Sequence, residues 1–246
     1  MSPSELFPPR YVIPVVLGLV LALAYPVAGH LAAPDKRRYY LLQAITLVGA
    51  LAGAKLVVLM GDRFWPVVPV HGLAEVLGAG RSVVGGLLFG FLTAEVAKPI
   101  LGYTLPPNDR FAALLPFSLA IGRVGCFLQG CCRGIPHESW LSVTYADGVP
   151  RYPAQLFEAA FQLAIGALFV VLVRRGTWRG QLFALYLVAY GTYRFLSEFI
   201  RETPRVAGDY SVYQVFCLAM IAVGLVTLGL RGGRFDDHPA ATAAAG

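Results

Sequence analysis

Charge is what this chain has least of: Asp, Glu, Lys and Arg together make up 14% of its 246 residues, against about 25% in an average soluble domain. Hydrophobic residues fill 57% of it and the mean hydropathy is +0.64, which excludes an ordinary soluble enzyme and leaves an integral membrane protein. Histidine is scarce as well, with four in all. None stands at ligand spacing from a cysteine unless His137 folds back, so a zinc centre is not expected. A cleavable leader is not expected either: Met1 to Pro9 is acidic and Pro-rich, and the apolar run behind it is too long for an h-region. No internal repeat is visible, and the apolar runs leave no room for a soluble domain.

What the sequence does have is a series of apolar runs near the roughly 20 residues a bilayer requires. They cover Tyr11 to Leu31, Tyr39 to Met60, Val83 to Ile100, Phe111 to Gln129, Pro153 to Val173, Gly180 to Ile200 and Tyr210 to Leu230. The expected fold is therefore an all-α integral membrane protein of about seven transmembrane helices, a single polytopic domain over residues 1–231. Residues 232–246, with Asp236, Asp237, His238 and a run of alanines, lack apolar periodicity and are expected to form a disordered tail.

Loop charge sets the expected orientation. The short connections Pro34 to Arg38 and Arg174 to Arg179 are the most basic, and with Lys98, Arg110, Arg231 and Arg234 they place the N-terminus outside and the C-terminus in the cytoplasm. The net charge of +6 then serves anchoring to anionic headgroups, not nucleic-acid binding. The two long connections, Gly61 to Ser82 and Cys131 to Tyr152, fall outside, where they either cap a site opening to the outer leaflet or anchor Trp and Tyr at the interface.

Three polar constellations interrupt the apolar pattern. Arg123 lies at the end of the fourth run, within Ile121-Gly-Arg-Val-Gly-Cys-Phe-Leu-Gln-Gly-Cys-Cys-Arg-Gly134. An Arg in the bilayer costs roughly 2.5 to 3.5 kcal/mol on insertion scales and needs a cavity, a partner or an anionic ligand. Gly122, Gly125, Gly130 and Gly134 around it predict a broken or re-entrant helix lining a central cavity capped by the extracytoplasmic loops. In the sixth run Tyr190, Arg194 and Glu198, followed by Arg201 or Glu202, repeat at intervals of three and four. They share one helix face, and Arg194 can pair with Glu198. In the fifth run Gln155, Glu158 and Gln162 form a third stripe, read as interhelical hydrogen bonding or ligand contact. Ser82, Gly85 and Gly86 open the third run and suit either a close headgroup or tight helix packing.

Two guanidinium groups in an apolar setting suit the forked recognition of a phosphate, and in a membrane that phosphate belongs to a phospholipid. The run Gly122 to Gly134, the run Tyr152-Pro-Ala-Gln-Leu-Phe-Glu158 and the run Tyr190 to Glu202, in that order, resemble the signatures of the prolipoprotein diacylglyceryl transferases. That resemblance implies transfer of a diacylglyceryl group from phosphatidylglycerol to the lipobox cysteine of a prolipoprotein, with release of glycerol phosphate, in the bacterial cytoplasmic (inner) membrane. It implies no metal, cofactor or nucleic acid. It assigns catalytic roles to Arg123, Arg194, Glu198 and Tyr190, and substrate contacts to Gly134, Gln155, Gly85, Gly86, Ser82, Cys126 and Cys131. Val84 stands where the family carries a histidine before the glycine pair, which leaves His71 and His137 as replacement bases. Cys126 and Cys131 stand where many members have Asn and an acidic residue. With Cys132 they read as small packing residues, as a redox or disulfide group, or as a nucleophile. The alternatives are a divergent member using another phospholipid or acceptor, and a non-catalytic transporter binding an anion or lipid.

Overall fold

The structure, a computed structural model, describes Leu17 and residues 33–64, 80–103 and 109–231. The first expected span apart from Leu17, the tail 232–246, His71 and most of the Gly61 to Ser82 loop lie outside the described residues. The described helices are α1 (Ala33–Leu59, closing in a π-turn Met60–Phe64), α2 (Val83–Ile100), α3 (Asp109–Gln129), α4 (Ala154–Arg175), α5 (Leu182–Ser197, closing in a 3₁₀ turn Glu198–Ile200) and α6 (Val212–Arg231). Five of them are long and apolar enough to cross a membrane; α5, at 16 residues, is shorter. Among the described residues the remaining regular structure is a two-stranded antiparallel ribbon of β1 (Val143–Thr144) and β2 (Pro150–Arg151) in the long α3–α4 connection.

The helices pack as three consecutive antiparallel pairs, α1 with α2, α3 with α4 and α5 with α6. Small residues let the backbones approach, as lipid-embedded helices require. A Cβ on Gly85 would lie 2.3 Å from the Gly53 carbonyl oxygen, and one on Gly224 would lie 2.9 Å from that of Ala184. The buried apolar core gathers Val84, Leu87 and Phe91 from α2, Phe169 from α4, Leu187 and Tyr190 from α5, and Met220 from α6. Leu47, Val48, Val96, Leu163, Val215 and Val226 are exposed, as expected where the surrounding solvent is lipid.

Local chemistry fixes the helix ends. Ser82, in extended conformation, caps α2 by accepting from the Gly85 amide at 3.3 Å. Gly176 closes α4 with φ +67°. The cap of α5 comes from another helix: the Asp109 carboxylate accepts from Gly180 N at 2.5 Å and Leu182 N at 3.3 Å. At that same end of the bundle Arg231 binds Glu95 at 2.6 Å and Arg38 donates to the Gly102 carbonyl.

The break expected within the fourth span is not there. Gly122 and Gly125 lie inside α3, which runs to Gln129, and the chain turns only at Gly130, φ +71°. In an apolar medium the helix ladder is the means of satisfying backbone N–H and C=O groups, so glycine alone does not open it.

Candidate active site

The polar residues collect at the end of the bundle formed by the C-terminus of α3, the N-terminus of α4, the C-terminus of α5 and the start of α6. Glu158, in the second turn of α4, is 1% exposed. Its Oε1 receives Arg123 Nε from α3 at 2.8 Å and the Tyr190 hydroxyl from α5 at 2.5 Å, and its Oε2 lies 3.9 Å from Arg201 Nη1. Glu198, fully buried, pairs with Arg194 Nη2 at 3.1 Å and lies 3.9 Å from Arg201 Nε. Its other oxygen accepts from Thr203 at 2.7 Å and from Ser211 at 3.1 Å. The result is one alternating chain of buried charges, Arg123, Glu158, Arg201, Glu198, Arg194.

Three guanidinium groups against two carboxylates leave this buried cluster one positive charge in excess. Among the described residues, Arg194 Nε and Arg201 Nε and Nη1 are buried without a hydrogen-bond acceptor, and Glu198 Oε2 is without a donor at hydrogen-bonding geometry. A buried charged donor left unsatisfied is costly, so the arrangement favours an anion whose oxygens meet those N–H groups. The spacing of Arg194 and Glu198 on α5 gives their i,i+4 contact directly; the 3₁₀ turn after them swings Arg201 back toward Glu158. Arg205 holds that turn by donating to the carbonyls of Glu198 at 3.0 Å and Arg201 at 3.1 Å.

The loop after α3 closes over the same end. Gly134 N donates to the Tyr152 carbonyl at 2.9 Å, and Ile135 N to that of Ile200 at 2.9 Å. A Cβ on Gly134 would meet Ile200 O and Tyr152 Cβ at 2.7 Å, so only glycine fits between the α3–α4 loop and the end of α5. Gln155 Nε2 donates to the Cys131 carbonyl at 2.6 Å, while its Oε1 accepts from Tyr145 at 2.9 Å. Outside this, Asp147 pairs with Arg133 at 2.7 Å and Arg151 at 3.4 Å, and Glu202 with Arg151 at 3.1 Å. The Val149 amide and the two arginines hold the Asp147 carboxyl below its usual range.

The sequence-predicted residues thus divide. Arg123, Arg194, Glu198, Tyr190, Gly134, Gln155, Cys126 and Cys131 converge. Ser82, Gly85 and Gly86 sit at the α1–α2 contact, where Ser82 N donates to the Ala54 carbonyl. Val84 is fully buried in the apolar core. His137 stacks on the Tyr152 ring at 4.2 Å in the loop. Glu158 and Arg201, which the sequence sets within its polar stripes without a site role, are the central residues of the cluster. The signal for Glu158 was a carboxylate kept within an apolar run with no basic residue at helical spacing on its own helix.

A multi-pass membrane protein with a cationic, carboxylate-braced site at one end of the bundle is the class these features define. The sequence model of the prolipoprotein diacylglyceryl transferase family matches residues 9–230, and the chain belongs to that family. It is 34% identical over 182 residues to the phosphatidylglycerol–prolipoprotein diacylglyceryl transferase of Vibrio vulnificus strain CMCP6, covering 69% of this chain and 66% of that protein. It is 33% identical over 167 residues to the protein of the same name from Aeromonas salmonicida strain A449, covering 63% and 59%. The relative from Chlorobaculum tepidum is 37% identical over 128 residues, covering 48% and 43%. The chain thus spans just under two thirds, or less, of the length of these relatives.

Proposed function

We propose that this chain is a phosphatidylglycerol-dependent diacylglyceryl transferase, acting on the lipobox cysteine of a prolipoprotein. The observation that carries the reading is the excess guanidinium charge in the Arg123, Arg194 and Arg201 cluster, with buried N–H groups open to an anion. The phosphate of the lipid accepts from Arg123 and Arg194, and from Arg201, whose Nε and Nη1 together with Arg194 Nε are the open donors. Glu198 orients Arg194, Tyr190 orients Glu158, and Gly134 and Gln155 keep the α3–α4 loop against the site. The acceptor sulfur forms a bond to the glycerol carbon. The carbon–oxygen bond to phosphate breaks, and the electron pair leaves with glycerol phosphate, which takes up the proton lost by the thiol. Fixed cations on the leaving oxygen stabilise the charge that develops there, an effect worth about 10²- to 10³-fold in rate for a single donor.

In this reading the phosphate lies beneath the α3–α4 loop. The site end faces outward in the bacterial cytoplasmic membrane and the basic end, with Arg38, Lys98 and Arg231, faces the cytoplasm. Such an orientation presents the site to secreted precursors. The test is incubation of the purified protein with labelled phosphatidylglycerol and a lipobox peptide. Labelled peptide and stoichiometric glycerol phosphate are expected, and a folded protein that forms neither overturns the reading.

A further inference from the structure

Three cysteines meet where the α3 helix ends, and the phosphate-binding reading uses none of them as a group. Cys126 is in the last turn of α3, and Cys131 and Cys132 follow the break at Gly130. The backbone turns back on itself through φ +71° at Gly130 and φ +59° at Cys132, a left-handed conformation that a non-glycine residue adopts rarely and that marks an over-determined site. The outcome is that the three Sγ atoms lie within 4.8 Å of one another, and all three thiols are free. Thiolates on a tetrahedral zinc ion at about 2.3 Å stand about 3.8 Å apart, so a small adjustment of side-chain torsions brings all three onto one ion.

The surroundings fit a metal-thiolate unit. Gln155 holds the Cys131 carbonyl at 2.6 Å, and the Cys131 amide donates to the Cys126 carbonyl at 3.1 Å, so the loop is braced. Arg123 Nη1 lies 4.0 Å from Cys126 Sγ, a cation beside a sulfur that would otherwise carry uncompensated charge. Outer groups of this kind orient and tune metal ligands. Cys126 is buried, while Cys132 is exposed. The trio therefore offers three sulfur ligands in a group that runs from the bundle interior to its surface.

We infer that Cys126, Cys131 and Cys132 bind a soft divalent cation, zinc by ligand chemistry, with an open fourth position that takes the thiol of the acceptor cysteine. This rests on the transferase reading for the identity of the acceptor, and on geometry alone for the metal. Three protein ligands and an open site are the pattern of catalytic zinc, and a thiol that coordinates such an ion is deprotonated outright. The unit supplies what Val84, sealed in the apolar core, does not: a means of generating the thiolate beside Arg123. The acceptor thiol releases its proton to solvent on binding the ion, and the departing glycerol phosphate takes up one in exchange. Its sulfur then attacks the glycerol carbon, the phosphate leaves with the electron pair, and the product thioether, a weaker ligand, departs. The ion ends the cycle unchanged.

The test uses the full-length protein purified under reducing conditions, loaded in turn with Zn²⁺ and with Co²⁺ as a spectroscopic probe. One metal ion per chain is expected, with the near-ultraviolet sulfur-to-cobalt charge-transfer band of a thiolate site. C131S and C132S should each weaken binding by more than the roughly 10- to 100-fold that losing an outer partner costs. A lipobox peptide should shift the visible cobalt bands, and its Cys-to-Ser form should not. Sub-stoichiometric metal with thiols shown to be reduced overturns the inference, as does a Cys126–Cys131 or Cys131–Cys132 disulfide in the native protein. Cobalt bands indifferent to the peptide thiol overturn the acceptor role. Turnover that persists after complete metal removal sinks this inference and leaves the transferase reading intact, whereas a loaded protein without turnover sinks the transferase reading and leaves the metal site.

Discussion

Replacing Glu158 with Gln is the sharpest perturbation available, because it keeps the shape of the side chain and removes only its charge. In the native cluster that charge stands between Arg123 at 2.8 Å and Arg201 at 3.9 Å. Only the first distance lies within hydrogen-bond range, so the Arg123 pair should dominate the effect. With Gln at 158, three buried arginines face one carboxylate and the excess of positive charge rises from one to two. Removing one partner of a buried pair costs about 3 to 5 kcal/mol. At roughly 2 to 4 °C per kcal/mol for a chain of this size, the melting midpoint in detergent should fall by about 6 to 20 °C. Tyr190→Phe, which removes a single hydrogen bond to the same carboxylate, should cost less, about 1.5 to 3 kcal/mol. The decisive arm is the cycle with Arg123→Gln: the double variant leaves no uncompensated charge at this pair and should recover at least about 1 kcal/mol relative to the sum of the single losses. Additive losses, or a midpoint unmoved by E158Q, would refute a direct buried Arg123–Glu158 pair.

Arg123→Ala and Arg194→Ala should each lower turnover with phosphatidylglycerol by about 100-fold or more, measured on protein whose gel-filtration profile matches wild type. Gly134→Ala should cost at least about 1 to 3 kcal/mol as an overpacked contact, because its Cβ would sit 2.7 Å from Ile200 O and from Tyr152 Cβ; a thermal melt within experimental error of wild type would show that the loop does not pack there. Gly85→Leu should separate α1 from α2, where a Cβ already meets the Gly53 carbonyl oxygen at 2.3 Å, and should lower the melting midpoint with the Arg and Glu cluster unchanged. The Asp147 carboxyl is held below its usual range by the Val149 amide and by Arg133 and Arg151, so its contribution to loop stability is present above the unfolded pKa, about 3.9, and is lost as pH falls through the lower folded value. Proteolysis of the 130–152 loop should therefore be unchanged from pH 7 to 5 and should rise only below about pH 4. Asp147→Asn should remove that acid limb.

Much of the architecture was legible because lipid leaves few choices. An apolar run near 20 residues must close its own backbone hydrogen bonds, and the runs ending at Gln129 and beginning at Pro153 match α3 and α4 within a few residues. Arg194 and Glu198 were legible for a similar reason, since helical spacing brings i and i+4 together whatever the rest of the fold does. Glycine misled the reading of Gly122 and Gly125. Its freedom becomes a turn only where the helix ladder can be abandoned, and here that is at Gly130.

By itself, then, the sequence determined that the chain is a membrane protein, where its apolar helices lie, and that arginines at two places in them needed a reason to stay. Each of these follows from interactions between near neighbours along the chain. Tertiary structure alone decided that Glu158 of α4 joins Arg123 of α3, that the turn after α5 returns Arg201 to both carboxylates, and that three sulfurs from either side of Gly130 share one small volume. Those contacts are made by groups on different helices or across a chain reversal, and no periodicity within one segment encodes the distance between two.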